Sequence, residues 1–498
     1  MYYYSTRGNT VRSNAAEAII KGLAPDGGLF VPEELPAPFR LADLPSNSYR
    51  ELATHIFKPF LSGYSAEEIE EAVQQAYNPT SFDHPAITPL HRLNDNDFVL
   101  ELWHGPTYAF KDIALQILPH LLTSAVSNSG TDEEIVILTA TSGDTGKSAL
   151  EGFCDIEGIK IIVYFPEKGV SDVQKLQMTT QEGDNVRVTA VKGNFDDAQR
   201  GVKEIFNDTV LSGRLAAHGY RLSSANSINW GRLLPQIVYY FWAYLTLVRQ
   251  KVIKSGETVN YVVPTGNFGN ILAGYYASRL GLPVNRLICA SNSNKVLTDF
   301  INSGRYDSNR TLDLTISPSM DILVSSNLER MLFELSNHDS GRIVTWMNAL
   351  KTEGYYEVDP DILAGLQKLF YAGYADDRLT GETIKSLYHR YNYLVDTHTA
   401  VGQAVLDQFK AEYGSEHKNI LLSTASPFKF AASVLEAISG AGGVNEGSET
   451  DLLEILAGKT SLAVPPNLAG LKQKKVRHKQ VITREGMRNH LLKSLSIG

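Results

Sequence analysis

From about residue 97 onward, short apolar runs alternate with segments whose apolar residues recur at helical spacing. Most runs are followed at once by Gly, Ser, Thr, Asn or Pro and then by a helical segment, an order typical of βαβ units with a parallel sheet. Eight predicted strands exceed what one small sheet usually holds, so we expect an α/β fold with two lobes and mostly parallel sheets. The predicted strands are Phe98–Trp103, Ile135–Ala140, Ile159–Phe165, Val186–Val191, Tyr220–Ser223, Val259–Val263, Leu287–Ala290 and Ile420–Ser423.

The same pattern predicts four regions along the chain. Residues 1–95 form an N-terminal unit with helices near Asn14–Gly22, Tyr49–Leu61 and Ser65–Tyr77, and Ser65 with Glu68 has the spacing of a capping box. Residues 96–258 form a first α/β region that includes the small lobe. Residues 259–440 form the second lobe, with a mainly helical insertion at about 305–418. Residues 441–498 form a tail that begins in the Gly440–Gly443 loop, and its basic residues fit a solvated or docked arm.

Composition and charge narrow the possible partners. The 43% hydrophobic and 20% charged residues are ordinary for a soluble globular protein, and the net charge of −9 argues against a nucleic-acid partner. The two cysteines, Cys154 and Cys289, cannot form a metal cage alone and are predicted to be buried free thiols in a reducing compartment. No metal site is predicted.

The sequence offers no membrane or export signal. No apolar run approaches the roughly 20 residues of a membrane span. The most apolar helical stretch, Val238–Val248, is closed by Arg249 and is predicted to be a core helix. Met1–Arg7 matches neither a signal peptide nor an organellar presequence. We therefore expect a cytoplasmic protein without a membrane partner.

The loops after the strands are where function is expected, because ligands of open α/β sheets bind outside the carboxyl ends of the strands. Lys111 lies in the first such loop, between Phe98–Trp103 and a predicted helix at Ile113–Leu122. The helix dipole and apolar neighbours such as Phe110 disfavour its ammonium form. A lysine that is easily neutral is a nucleophile for carbonyl carbon. Considered alone, the loop also fits a solvated first-turn lysine.

A second loop, Val263–Asn270, has the features of a phosphate cup. Gly266 and Gly269 let the backbone approach a ligand closely and present several N–H groups. The loop lies between a predicted strand and a predicted helix at Ile271–Leu280, whose dipole favours an anion.

A third loop, Thr139–Ser148, nearly matches a P-loop, but Thr141 occupies the position of the first glycine. A nucleotide site is therefore one interpretation. The other is an anion pocket of helix-start N–H groups suited to a carboxylate. An ordinary helix entry with small residues is equally compatible with the pattern.

Two further loops add polar side chains. Asn226, Ser227 and Arg232 follow the strand Tyr220–Ser223, and a planar guanidinium suits a phosphate, although Arg232 could equally form a salt bridge on a helix face. Thr424 offers a hydroxyl after the last strand, in a stretch that also fits a plain turn. A lysine, a phosphate cup and this hydroxyl match the aldehyde, phosphate and ring nitrogen of pyridoxal 5′-phosphate.

At this point the chain resembles the threonine synthase family of fold type II pyridoxal-phosphate enzymes. The resemblance runs nearly end to end, and the first two motifs and the Gly193 motif distinguish this family from related enzymes. The matching stretches are Tyr4–Arg7, Pro25–Leu29, His104–Thr107, Phe110–Asp112, Ala140–Gly146, Gly193–Asp197, Asn226–Asn229, Gly266–Asn270, Thr424 and Lys429–Phe430.

The resemblance implies roles for individual residues. Lys111 would be catalytic and would form the Schiff base with the cofactor. The cofactor phosphate would be held by the loop residues Gly266, Asn267, Phe268, Gly269 and Asn270, and its ring nitrogen by Thr424. The substrate carboxylate would bind at Thr141, Ser142, Gly143, Asp144 and Thr145, and the substrate phosphate at Asn226, Ser227 and Arg232. Ser426, where many members carry His, and Trp230, where a smaller residue is common, depart from the family pattern.

The implied activity is the last step of threonine biosynthesis, in which a carbon–oxygen lyase acting on phosphates converts O-phospho-L-homoserine and water to L-threonine and phosphate. The protein would act as a monomer or homodimer. Another fold type II lyase, such as a serine/threonine dehydratase, and a non-catalytic threonine-synthase-like protein are the alternatives.

Overall fold

The computed structural model describes residues 1–8, 11–130, 133–141, 143–168, 170–440 and 448–498. Its strands are β1 Tyr3–Ser5, β2 Phe30–Pro32, β3 Leu90–Arg92, β4 Asp97–Glu101, β5 Glu134–Ala140, β6 Ile159–Pro166, β7 Val186–Val191, β8 Tyr220–Ser223, β9 Val259–Pro264, β10 Val284–Ser291, β11 Arg305–Asp307, β12 Tyr355–Glu357, β13 Phe370–Tyr374, β14 Lys418–Ser423 and β15 Val481–Ile482. Its helices are α1 Ala15–Lys21, α2 Tyr49–Phe57, α3 Ala66–Ala76, α4 Lys111–Leu115, α5 Leu118–Ser129, α6 Asp144–Gly152, α7 Asp172–Thr179, α8 Phe195–Asn207, α9 Thr209–Ala216, α10 Trp230–Arg249, α11 Gly269–Arg279, α12 Val296–Ser303, α13 Leu328–Leu335, α14 Ser340–Thr352, α15 Pro360–Leu369, α16 Asp377–Tyr391, α17 Thr397–Tyr413, α18 Ala431–Ser439, α19 Glu449–Thr460 and α20 Met487–Ser494.

Two sheets organise the molecule, and the predicted α/β fold with two lobes is confirmed. The larger sheet has the order β13-β10-β9-β14-β4-β3, and its strands are parallel apart from β3 at one edge. The smaller sheet has the order β15-β7-β6-β5-β8 and is parallel throughout. All eight strands predicted from the sequence are present, with ends that differ by a few residues. The region boundaries at residues 95, 258 and 440 remain predictions.

The region at about 305–418 contains more than helices. Strand β13 pairs with β10 and forms the edge of the larger sheet, and β11 pairs with β12 as a separate antiparallel ribbon. Strand β13 was not predicted because its first residue, Phe370, directly follows Leu369, the last residue of α15, without a Gly or Pro between them. The region therefore closes the sheet and is not a purely helical insertion.

The predicted helix at Ile113–Leu122 is wrong in its bounds, since two helices, α4 and α5, share this stretch. Pro119 stands in the first turn of α5, where its missing N–H costs no hydrogen bond, and it cannot continue a helix from α4. The break leaves Lys111 at the start of a helix only five residues long.

The N-terminal unit and the long helix α10 form a shared core. The capping box of Ser65 and Glu68 at the start of α3 is confirmed. Helix α10 is buried along nearly its whole length, which explains why it is apolar on all faces. Within the described ranges, no helix is both long and apolar enough to cross a membrane.

The described C-terminal tail packs in two places: α19 lies against α18 and α7, and the residues from β15 onward are folded onto the smaller lobe. Strand β15 pairs with β7, and His490 in α20 bonds to Tyr164 and Thr189 of the smaller sheet. Most of the predicted Gly440–Gly443 loop lies outside the described residues. Of the cysteines, Cys289 is buried as predicted, but Cys154 is only partly buried, because it lies just after α6 at the surface of the lobe.

Candidate active site

A cavity of about 1400 Å³ lies among the loops at the carboxyl ends of the strands of both sheets. It brings together most of the site residues predicted from the sequence. The predicted residues that line it are Lys111, Thr141, Asp144, Thr145, Asn226, Ser227, Arg232, Gly266, Asn267, Phe268, Gly269, Asn270 and Thr424. Gly143 does not line it, and Ser142 lies outside the described residues.

Main-chain bonds hold Lys111 beside Thr424. Ala109 and Ala425 form an isolated antiparallel bridge, and the N–H of Phe110 donates to the carbonyl of Thr424 at 2.9 Å. Tyr108, just before the bridge, adopts a φ of 59°, a left-handed conformation that is unusual for a residue with a side chain. The turn that carries Lys111 is therefore hydrogen-bonded to the residues that follow β14.

The Lys111 amine is poorly solvated and lies near one carboxylate. Its Nζ is 3.9 Å from Oδ2 of Asp144 and 3.5 Å from Oγ of Ser319. Burial lowers the pKa of Lys111 to about 8; Asp144 opposes this shift, and the positive charges of Lys429 and Arg232 add to it. The amine is thus far easier to deprotonate than a solvated lysine.

Asp144 forms a buried ion pair that sequence reasoning did not anticipate. Its Oδ1 accepts from Nζ of Lys429 at 2.9 Å and from Nε2 of Gln174 at 3.0 Å. Although burial opposes ionisation, Lys429 and Lys111 hold the pKa of Asp144 well below its usual range. The carboxylate therefore cannot itself receive an anionic substrate group, and what α6 offers an anion is its N-terminal N–H groups.

The loop between β9 and α11 has the geometry of an anion cup. A Cβ on Gly266 would lie 2.7 Å from the carbonyl oxygen of Ser319, so a side chain does not fit there. Phe268 adopts a φ of 61° and turns the chain into α11. Asn270 accepts bonds from the hydroxyls of Tyr239 and Tyr240, while its Nδ2 is buried and has no partner among the described residues. An unpaired buried donor beside a helix N-terminus suits a bound anion.

The loop before α10 places a guanidinium in the cavity. Arg232 is buried, which excludes the alternative of an exposed helix-face salt bridge. Its Nη1 donates to the carbonyl of Ala225 at 2.6 Å, whereas its Nε has no partner among the described residues. Burial lowers the pKa of Arg232 to about 10, which leaves it cationic at neutral pH. Oδ1 of Asn226 accepts from Thr139.

The P-loop interpretation does not fit the geometry after β5. Oγ1 of Thr141 accepts from the N–H groups of Gly143 at 3.0 Å and Gly146 at 2.9 Å, so it braces the turn. Lys147, the residue that would contact nucleotide phosphates, instead bonds Oε2 of Glu151 at 2.6 Å and does not line the cavity. The loop therefore offers the cavity the N–H groups at the start of α6, but not the side chain of Lys147.

His398 also lines the cavity and was not identified from the sequence. Its Nε2 accepts the N–H of Ser319 at 3.1 Å, and its Nδ1 pairs with Oδ2 of Asp396 at 2.7 Å. Both side chains are buried. The only sequence signal was the spacing of Asp396 and His398 at the start of α17, which is also that of an ordinary helix cap.

Three family profiles and several known proteins match the chain over most of its length. The family profile described as "Threonine synthase N terminus" matches residues 2–77, "Pyridoxal-phosphate dependent enzyme" matches 81–424, and "Threonine synthase, C-terminal" matches 399–490. The chain is 42% identical over 458 residues to the threonine synthase of Pseudomonas aeruginosa, covering 91% of this chain and 94% of that protein. It is also 40% identical over 463 residues to human Threonine synthase-like 1, covering 91% of this chain and 61% of that longer protein.

A solved structure extends the comparison to the fold. The crystal structure of pyridoxal-phosphate-bound threonine synthase from Brucella melitensis superposes with a TM-score of 0.87 at 37% identity and covers 99% of each chain. The match includes both lobes and both terminal regions. The chain thus belongs to the threonine synthase family of fold type II pyridoxal-phosphate-dependent enzymes.

Proposed function

We propose that this protein converts O-phospho-L-homoserine and water to L-threonine and phosphate with pyridoxal 5′-phosphate as its cofactor. The observation that carries the proposal is the convergence, in one cavity, of an easily deprotonated lysine, an anion cup and the Thr424 hydroxyl, in a chain 42% identical to a threonine synthase.

The residues of the cavity fit the cofactor. The tight turn at Gly266 and the unpaired Nδ2 of Asn270 suit a phosphate group. Lys111 and Thr424 lie on facing loops, where an amine can bond an aldehyde carbon and a hydroxyl can bond a ring nitrogen. When bound, pyridoxal phosphate supplies a conjugated ring that accepts the electrons left behind by proton removal.

Lys111 is the group we assign to proton transfer. With the substrate bound, the free amine would remove the proton from Cα and pass it to the substrate's phosphate, which leaves the amine neutral to remove one proton from Cβ as phosphate departs from Cγ. The resulting ammonium would protonate Cγ, and the amine would then take the proton that water releases on adding at Cβ and return it to Cα. A base whose pKa lies near the working pH suits both directions of transfer.

The remaining side chains bind and orient the substrate. The N–H groups at the start of α6 take the α-carboxylate, and Thr141 keeps that turn in shape. The free Nε of Arg232, with Asn226 and Ser227, takes the phosphate that leaves. The buried cationic guanidinium makes this end of the cavity favourable for a dianionic leaving group.

The test is a phosphate-release assay with O-phospho-L-homoserine, run beside the visible absorbance spectrum of the purified protein. We expect phosphate and threonine in equal amounts, and loss of both the turnover and the cofactor absorbance band in Lys111→Ala. Release of 2-oxobutyrate in place of threonine would identify a dehydratase. Bound cofactor without any turnover would identify a non-catalytic member of the family.

The compartment and assembly remain predictions from the sequence. We propose a cytoplasmic protein that is a monomer or homodimer and has no nucleic-acid partner. Light scattering of the purified holoenzyme measures its mass directly, and a trimer or larger species would contradict the prediction.

A further inference from the structure

A buried carboxylate, that of Asp144, lies between two lysines. Its Oδ1 is 2.9 Å from Nζ of Lys429, and its Oδ2 is 3.9 Å from Nζ of Lys111. The side chains of Lys429 and Asp144 are only 1% and 4% exposed, so water screens the pair poorly. The two lysines thus share one anion through its two oxygens.

Lys429 is held in place from several sides. Its Nζ also donates to the carbonyl of Thr107, in the Lys111 loop, at 2.8 Å. Nε2 of Gln174 in α7 donates to the same oxygen of Asp144 that Lys429 contacts. These bonds fix the orientation of the carboxylate, and its Oδ2 is the oxygen 3.9 Å from Nζ of Lys111.

The charge balance around Lys111 depends on this arrangement. The carboxylates of Asp144 and Asp112 favour its ammonium form, whereas the cations of Lys429 and Arg232 disfavour it. A carboxylate beside a lysine with no second cation would hold that lysine protonated. Lys429 pairs with Asp144 and so opposes this effect.

We propose that Lys429 is a positioning residue that acts through Asp144 to keep the Lys111 amine neutral and nucleophilic. The inference rests on the proposed role of Lys111. It gives a function to a residue that contacts neither the cup nor Thr424 in the hydrogen bonds of the described residues. It also explains why a carboxylate is tolerated beside an amine that must lose its proton.

Two substitutions that remove opposite charges test the inference. The readout is the pH midpoint at which Lys111 reacts with trinitrobenzenesulfonate in the cofactor-stripped full-length protein, quantified at that residue by mass spectrometry. Lys429→Met leaves Asp144 to pair with Lys111 alone and should raise the midpoint by about one unit. Asp144→Asn keeps the shape of the side chain, leaves the Lys429 cation unopposed, and should lower the midpoint.

Lys147→Met is the matched control, because Lys147 lies in α6 but pairs with Glu151 outside the cavity. In this variant, the pH midpoint of Lys111 labelling should equal that of the wild type. An unchanged midpoint in Lys429→Met, or a shift in the same direction in both variants, would overturn the inference. Since the labelling involves no substrate, it is independent of the phosphate-release assay that tests the proposed reaction.

Discussion

Lys111 lies where its charged form is poorly solvated and where positive and negative neighbours shift its pKa in opposite directions. Burial is the largest influence and lowers its pKa to about 8, against an ordinary value of about 10.4. The neutral fraction therefore increases as the pH rises through about 8, about two units below the pH at which a solvated lysine deprotonates. Only the neutral amine can attack an aldehyde.

The rate at which cofactor-free protein captures pyridoxal phosphate should follow this titration. We expect the rate to rise about tenfold per pH unit on the acidic side and to level off above about pH 8. Stopped-flow absorbance measures the rate. A midpoint near the ordinary lysine value would contradict the assigned environment of Lys111.

Thr424, the proposed partner of the cofactor's ring nitrogen, carries a neutral hydroxyl. A hydroxyl does not enforce protonation of the ring nitrogen as a carboxylate would. We expect the unprotonated ring to accept less electron density, and this to favour loss of the γ-phosphate. Thr424→Asp should therefore increase side products relative to threonine by about tenfold, the effect of roughly one pKa unit. Thr424→Ser keeps the hydroxyl and is the control. Product ratios come from chromatography, and an unchanged ratio in Thr424→Asp would refute the idea.

At the scale of the elements, the residues around the start of α13 join three parts of the site. Nδ2 of Asn327 donates to the carbonyls of Asn267 in the cup at 3.1 Å and of Ser227 at 3.2 Å. The buried guanidinium of Arg330 bonds the carbonyls of Phe30 in β2 and Ile228. The cup, the loop before α10 and the N-terminal unit are thus held in one arrangement.

Asn327→Ala should weaken cofactor binding, although Asn327 is not proposed to contact the cofactor. Two donated hydrogen bonds of about 1 kcal/mol each hold the cup, and loss of their positioning predicts a roughly tenfold or larger increase in Kd. Fluorescence titration of the cofactor-free protein measures the Kd. Asn348→Ala, on the exposed face of α14, should leave it unchanged. Equal affinities for the two variants would show that Asn327 does not position the cup.

At the scale of the whole molecule, the cavity lies between two lobes, and the chain's last strand and helix complete the smaller one. The carbonyls of Gln480 and Ile482 accept the N–H groups of Ala190 and Lys192 at the edge of β7. His490 lies buried between Tyr164 and Thr189. The residues after β7, Lys192 and Asn194, line the cavity, so the C-terminal segment supports one of its walls.

His490 should make the stability of the smaller lobe depend on pH. Burial, and then the charge of Arg187, lower its pKa, so the folded state binds a proton less readily than the unfolded state. The stability it contributes is complete above the ordinary histidine value of about 6.5 and is lost as the pH falls through the lower folded value.

His490→Phe should therefore cost on the order of 1–3 kcal/mol at mildly alkaline pH, where Tyr164 and Thr189 each lose a hydrogen bond to the imidazole, and less in acid. Urea unfolding at the two pH values measures the difference. His389→Phe, at an exposed position of α16, is the control. A difference that stays constant with pH would contradict the assigned shift.

The sequence predicted helices and strands correctly where their bounds depend on residues that are neighbours in the chain. Strand β9 and the capping box of Ser65 and Glu68 depend on neighbouring residues, and both are found where they were predicted. Strand β13 was missed because Phe370 directly continues the apolar pattern of α15. The predicted helix at Ile113–Leu122 is wrong because Pro119 lies in the first turn of a separate helix, α5, and that break is itself a local signal.

The sequence by itself determined the fold class and the candidates Lys111, Gly266 and Thr424, because glycines, strand ends and helix starts can be recognised from neighbouring residues. The family followed from the resemblance of the motifs. Only the tertiary structure decided that Lys429 and Gln174 contact Asp144, and that His398 reaches Ser319. These pairs are distant in the sequence, and each residue alone is compatible with an ordinary core or cap position. Whether a buried charge has an opposite charge beside it depends on which distant segments pack against it, and the residues near it in the sequence do not indicate this.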